Sequence, residues 1–115
     1  MDDNRRAAPR FNVSLYAEYV EPKTTRVHIC NLSATGFLVR GDFCAGQGGI
    51  FRASFRVHPS SGEARVSMRG RVVHCRIAGP DSEFGIKIEA FGSPEEESAY
   101  QAYVRELEKK AVLKT

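Results

Sequence analysis

Apolar residues recur at every second position in short runs along most of this chain, and that period of two limits what it can fold into. Phe11, Val13, Leu15, Ala17 and Tyr19 alternate with Asn12, Ser14, Tyr16 and Glu18. Successive side chains of a strand point to opposite faces, so this pattern makes a half-buried strand from about Phe11 to Val20. "EPKT" (Glu21 to Thr24) reads as a turn, with the fixed φ of Pro22 suited to its second position. Val27 and Ile29 then alternate with Arg26, His28 and Cys30, giving a second strand from about Thr25 to Cys30. "FLVR" (Phe37 to Arg40) is a third, and the glycines of Gly41 to Gly49 mark a loop. "IFRASFRV" (Ile50 to Val57) alternates again, and "HPSSG" (His58 to Gly62) turns the chain. The run from Ala64 to Ile77 changes apolar parity between Val66/Met68 and Val73/Cys75/Ile77, which predicts a bend or bulge near Gly70. After the turn "AGPDS", Phe84, Ile86, Ile88 and Ala90 alternate in a last strand.

The tail has a different period. Ser93 suits an N-cap, Pro94 the first helical position, and Glu96 stands three residues after the cap. Tyr100, Tyr103, Val104, Leu107 and Ala111 recur at helical spacing, and Lys109 and Lys110 suit the negative end of the helix dipole. One helix from about 94 to 111 should pack on the sheet or cover a barrel end. The expected fold is mainly β: a six-stranded antiparallel barrel followed by a C-terminal helix. Residues 1–10 read as a flexible arginine-containing arm, 11–92 as the barrel, and 93–115 as the helix and tail of the same domain.

At 115 residues the chain is long enough for one domain with its own core, and its net charge of +3 permits an anionic partner without demanding one. Cys30, Cys44 and Cys75 form no CxxC pair and cannot all pair with one another, which predicts a reducing, cytoplasmic setting. The opening "MDDNRR" has no apolar core of a signal peptide, and no apolar run approaches the roughly 20 residues of a membrane span. His28, His58 and His74 are too scattered for a metal site. No activated nucleophile or acid–base pair is evident, so an enzyme is not expected.

Two polar stretches remain. Arg5, Arg6 and Arg10 sit in the lead-in to the first strand, and "NLSATG" (Asn31 to Gly36) follows the second. A hairpin of these strand lengths returns Asn31 to the end where Arg10 enters. Arginine is an always-charged fork that grips phosphate through two hydrogen bonds and can read a guanine edge or stack on a base. Asn31 and Ser33 offer small neutral donors and acceptors, and Gly36 keeps the backbone uncluttered. Together they suit an anionic ligand with a purine-like edge. Taken singly, an arginine cluster is more often a solvated tail, and "NLSATG" an Asx- or ST-type turn.

Arg6-Ala-Ala-Pro-Arg10 matches RxxxR and Asn31-Leu-Ser-Ala-Thr-Gly36 matches [DN]xSxxG. In this order, on these strands, the chain resembles the PilZ domain, the bacterial receptor module for cyclic di-GMP. "RGRVVHCR" and "EFGIKIEAF" resemble that family's later strands, so the likeness runs from roughly Arg5 to Leu107. It implies a six-stranded barrel with the ligand on its outer surface and no cofactor. By that resemblance Arg6 and Arg10 grip phosphates and guanine Hoogsteen edges. Asn31 and Ser33 contact the other guanine and a nearby phosphate, and Gly36 shapes the turn. Arg5 adds a third charge that could favour a stacked pair of ligand molecules. Asn31 stands where many members carry aspartate, and its missing charge predicts weaker affinity.

The function so implied is a cyclic di-GMP receptor that orders its arm on binding and signals to an unidentified effector protein. The alternative is a ligand-independent adaptor, against which both intact motifs argue. A barrel binding single-stranded nucleic acid would need aromatics interleaved with basic residues on one exposed face. In "IFRASFRV", Phe51 and Phe55 share one face and Arg52 and Arg56 the other, as in a core strand, so no nucleic acid polymer is expected.

Overall fold

Six strands close into an antiparallel barrel in the order β1-β2-β3-β6-β5-β4. They are β1 (Phe11–Tyr19), β2 (Thr25–Leu32), β3 (Gly36–Gly41), β4 (Ile50–Val57), β5 (Ala64–Ala78) and β6 (Asp81–Phe91), followed by helix α1 (Pro94–Lys114). The computed structural model describes residues 9–19, 25–41, 47–60, 62–79 and 81–114. The turn expected at Glu21–Thr24, Cys44 in the glycine loop, and Arg5 and Arg6 in the arm lie outside the described residues.

The inward residues of each strand build one core. Phe37, Phe51 and Phe55 meet edge to face, with ring centres 6.2 and 5.7 Å apart for Phe37–Phe51 and Phe37–Phe55. Tyr100 of α1 continues the chain of rings, 6.0 Å from Phe55 and 5.4 Å from Phe91. The helix thus seals the barrel end at which β1 begins. Its cap differs from the reciprocal box that Ser93 and Glu96 suggest. The Ser93 hydroxyl accepts from the Glu96 amide, but the Glu96 carboxylate reaches out to the Ser67 amide of β5. Farther along, the Glu106 carboxylate accepts from the Ser60 amide and hydroxyl in the β4–β5 connection. The two acids clamp both halves of the helix to the barrel.

Two expectations need correction. Asn31 and Leu32 belong to β2, which therefore runs two residues past Cys30. The register slips between Ile29↔Val39 and Asn31↔Leu38, so Cys30 is an extra residue in the ladder. Without that bulge, the parity of Val27 and Ile29 would turn Asn31 inward. With it, Leu32 enters the core and Asn31 stays on the surface. The bulge expected near Gly70 is present, with register slips between Arg69 and Gly70 and between Val72 and His74, but it does not turn the later apolar residues of β5 inward. Val72 continues the inward parity of Val66 and Met68, while Val73 and Ile77 are 44% and 82% exposed. The β4 ladder ends at the pair Ile50↔Arg71; Gly48 and Gly49 still bond to Val72, and beyond that, among the described residues, β5 pairs with β6 alone. Those apolar residues therefore project from an uncovered ribbon and contribute nothing to the core.

Candidate ligand site

The β1–β2 register pairs Phe11 with Leu32 and Asn12 with Asn31. That pairing delivers Arg10, the residue before β1, to the end of β2. The Arg10 Nη1 donates to Asn31 Oδ1 at 2.9 Å, so the two polar stretches meet through a side-chain hydrogen bond 21 residues apart in sequence. Arg10 is exposed and Asn31 half-buried. The acceptor is neutral, which leaves the guanidinium charge uncompensated by this partner.

The loop after Asn31 is held from several sides. The Ser33 amide donates to the Gly36 carbonyl at 2.8 Å, and the Thr35 amide to Ser33 Oγ at 3.3 Å. The Ile88 amide of β6 donates to the Thr35 carbonyl at 2.9 Å. From the helix, Gln101 Nε2 donates to the Ala34 carbonyl at 3.0 Å, and the Tyr100 hydroxyl to the Ser33 carbonyl at 2.7 Å. Burial pushes the Tyr100 phenol far above its ordinary range, against a smaller opposite pull from Arg10, so it remains a neutral donor. Gly36 is demanded by space: a Cβ there would stand 2.2 Å from the Ile86 carbonyl oxygen of β6. No side chain fits between these two strands.

Of the expected site residues, the structure brings Arg10 and Asn31 together and sets Ser33 and Gly36 in the adjoining loop. Ser33 is only 2% exposed, and its hydroxyl donates to the Gly36 carbonyl at 3.3 Å. In this state that hydroxyl is turned into the loop and organises it. Arg5 and Arg6 lie outside the described residues. A cavity of about 340 Å³ borders the loop, where Ala34 and Thr35 face Lys87 of β6 and Gln101 of α1. Helical periodicity accounts for Tyr100 as packing only. Its second role follows from a rule about phenols, which find a hydrogen-bond partner when buried.

Residues 4–106 of the sequence match the PilZ domain family. The chain belongs to that family. Solved PilZ-containing structures share its fold. The PilZ domain with c-di-GMP of YcgR from Escherichia coli superposes with a TM-score of 0.67 at 16% identity, over 96% of each chain. The Bacillus subtilis inhibitor of motility, MotI/DgrA, gives 0.75 at 17% identity over 92% of this chain and 53% of its own. MrkH from K. pneumonia in its apo state gives 0.67 at 13% identity over 96% of this chain and 53% of its own. This PilZ domain thus spans about half the length of MotI/DgrA and of MrkH. No curated protein matches the chain by sequence.

Outside this site, an acid is buried on the barrel wall. Glu83 of β6 is 4% exposed and lies between two arginines of neighbouring strands. Arg40 of β3 contacts one carboxylate oxygen, and Arg76 of β5 donates to the other at 2.9 Å. These hydrogen bonds, first from Arg40 and then from Arg76, hold the carboxyl below its usual range. Among the described residues, Cys30 and Cys75 are free thiols and no cluster of metal-ligating side chains occurs. No described helix is long and apolar enough to cross a membrane.

Proposed function

We propose that this PilZ domain is a non-enzymatic receptor for cyclic di-GMP, whose N-terminal arm folds over the ligand and presents a new surface to a partner protein. The observation that carries the reading is the Arg10–Asn31 hydrogen bond, which joins the arm to the end of β2. A net hydrogen bond at an exposed site is worth about 0.5–1.5 kcal/mol, so a phosphate or a guanine edge can displace it. Arg6 and Arg10 then grip phosphates and guanine Hoogsteen edges. Asn31 contacts the other guanine and its phosphate, and Ser33, whose hydroxyl is turned into the loop in the free state, swings out to join it, on a loop shaped by Gly36. Arg5 adds charge at the rim. The E. coli YcgR domain, which has this fold and was solved with c-di-GMP, supports the choice of ligand. Free Cys30 and Cys75 suit a reducing cytoplasm.

Fixing the backbone of the five residues from Arg5 to Pro9 would cost about 5–10 kcal/mol. Two arginines gripping in bidentate fashion make four charge-assisted bonds, together about 6–12 kcal/mol. The two magnitudes are comparable, so ligand and arm order together and either arginine is indispensable.

Titration calorimetry of the full chain with cyclic di-GMP tests this. The unsubstituted protein should release heat, and Arg6→Ala and Arg10→Ala should each abolish it. Undiminished binding in both variants would remove the proposed site. A silent unsubstituted protein would leave a ligand-independent adaptor in its place.

A further inference from the structure

The barrel closes through a short junction. Among the described residues β1 and β4 pair at Ala17↔Phe55, Glu18↔Ser54 and Tyr19↔Ala53. Continued in register, the ladder would set Tyr16 against Arg56 and Ser14 against His58. Instead the strands part, and those residues line a cavity of about 390 Å³ floored by Leu15 and Phe55. β1 is paired with β2 as far as Phe11, yet among the described residues Phe11–Tyr16 have no ladder partner on the β4 side. Six residues at about 3.3 Å each make an edge about 20 Å long without a described ladder partner, of which Ser14–Tyr16 border the cavity. Unpaired edge amides and carbonyls are a template for another strand.

A second, independent observation concerns charge. On the outer face of β4–β5, Arg56 stands directly opposite Arg65. Like charges at directly opposed positions destabilise a sheet, and a further acidic neighbour would relieve this pair. Arg56 and Arg65 reach the cavity from one side and Arg26 from the other. Carboxylates already nearby are Glu63, 3.2 Å from Arg56, and Glu18, across the strand pair from Arg26. Arg65 donates to the neutral Ser54 hydroxyl at 3.1 Å.

We propose that the β1–β4 cleft is a strand-addition site for an extended, acidic segment of a partner protein. The segment's backbone pairs with the free edge of β1. Its alternate side chains then divide, apolar ones settling on half-buried Leu15 and carboxylates facing Arg26, Arg56 and Arg65. Nucleic acid fits less well, because base stacking needs an open aromatic face. Phe51 and Phe55 are buried. Tyr16 is exposed, but its ring is covered by the Arg26 guanidinium at 5.4 Å and by His28 at 5.1 Å. The inference stands whether or not cyclic di-GMP binds at Arg10.

The test uses the full chain, amide hydrogen exchange by NMR, and a fluorescently labelled eight-residue peptide alternating Glu and Val. In the free protein the β4-facing amides of Phe11–Tyr16 should exchange at least tenfold faster than those of the paired junction. The peptide should slow them at least tenfold, and a copy with proline at its centre should not. Arg56→Glu with Arg65→Glu should weaken peptide binding at least tenfold at an unchanged thermal midpoint. If that pair lowers the midpoint, Arg56→Gln with Arg65→Gln gives the same reading at lower risk to the fold. The proposal is overturned by slow exchange of the edge in the free chain, by no slowing with the alternating peptide, by equal binding of the proline copy, by indifference to the arginine changes, or by tighter binding of a ten-nucleotide oligothymidylate.

Discussion

The two halves of the ligand site are built differently. The loop Ser33–Gly36 takes hydrogen bonds from its own backbone, from β6 and from two side chains of α1, and its glycine lies against the Ile86 carbonyl. Arg10 meets its opposite half through one hydrogen bond to a neutral, half-exposed acceptor. One half is part of the fold and the other rests on it. The proposed receptor role uses that asymmetry: a fixed surface makes recognition specific, and a lightly held one lets binding change the outline of the molecule.

The contrast can be broken or sharpened by substitution, read first on stability. Gly36→Ala should have the largest effect. The added methyl forces β3 and β6 apart at a backbone contact, at a cost of about 3 kcal/mol or more, seen as a lower midpoint in thermal unfolding. An unchanged midpoint would mean the loop is not held as described. Tyr100→Phe should follow, since it leaves the Ser33 carbonyl without its buried donor, at about 1–3 kcal/mol. A neutral result in urea unfolding would show that water replaces the phenol.

Acid should act on the helix clamps next. The Ser67 amide holds the Glu96 carboxyl below its usual 4.5, and the Ser60 amide does the same for Glu106. The unfolded chain therefore takes up protons at higher pH than the folded one does. Their contribution is complete above about pH 5 and is lost progressively as pH falls below 4.5 through the folded values. Urea midpoints from pH 7 to pH 3 should be flat at first and then decline; a decline already complete above pH 5 would rule these two carboxylates out as its cause. Arg10→Ala should matter least to stability, within about 0.5 kcal/mol as for an exposed position, while removing the calorimetric response to cyclic di-GMP. If Arg10→Ala destabilises as much as Gly36→Ala, the two halves form one rigid unit and the contrast fails.

Much of the architecture was legible because alternation reports burial directly. The run from Phe11 to Ala17 and the alternation of Phe51, Ala53, Phe55 and Val57 appear in strands with the facing that their periods require. That the arginine lead-in and Asn31 lie at one end of the sheet was legible too, from two strand lengths and a turn, although the bulge at Cys30 is what keeps Asn31 on the surface to meet Arg10. Three features were not. The bulge at Cys30 leaves no mark in apolar spacing, so β2 reads as ending two residues early. Val73, Cys75 and Ile77 look like core because a pattern of types cannot say where a neighbouring strand stops. The Arg40–Glu83–Arg76 group joins three strands, with Arg40 and Glu83 43 residues apart, and nothing local in sequence announces it. Ser33 shows a further limit: a motif can name a hydroxyl without showing that it faces inward.

The strand order has a consequence for how the protein is made. β3 lies beside β6, so Gly36 pairs with Lys87, and the Thr35 carbonyl waits for the Ile88 amide. Contacts of such long sequence separation form slowly, because loop closure must come before they repay it. A nascent chain that has emerged only as far as β5 holds the whole Asn31–Gly36 stretch but none of the partners that β6 and α1 supply. A complete Asn31–Gly36 loop would then appear late and abruptly, after the last strand docks, and C-terminally truncated translation products would lack the proposed cyclic di-GMP site.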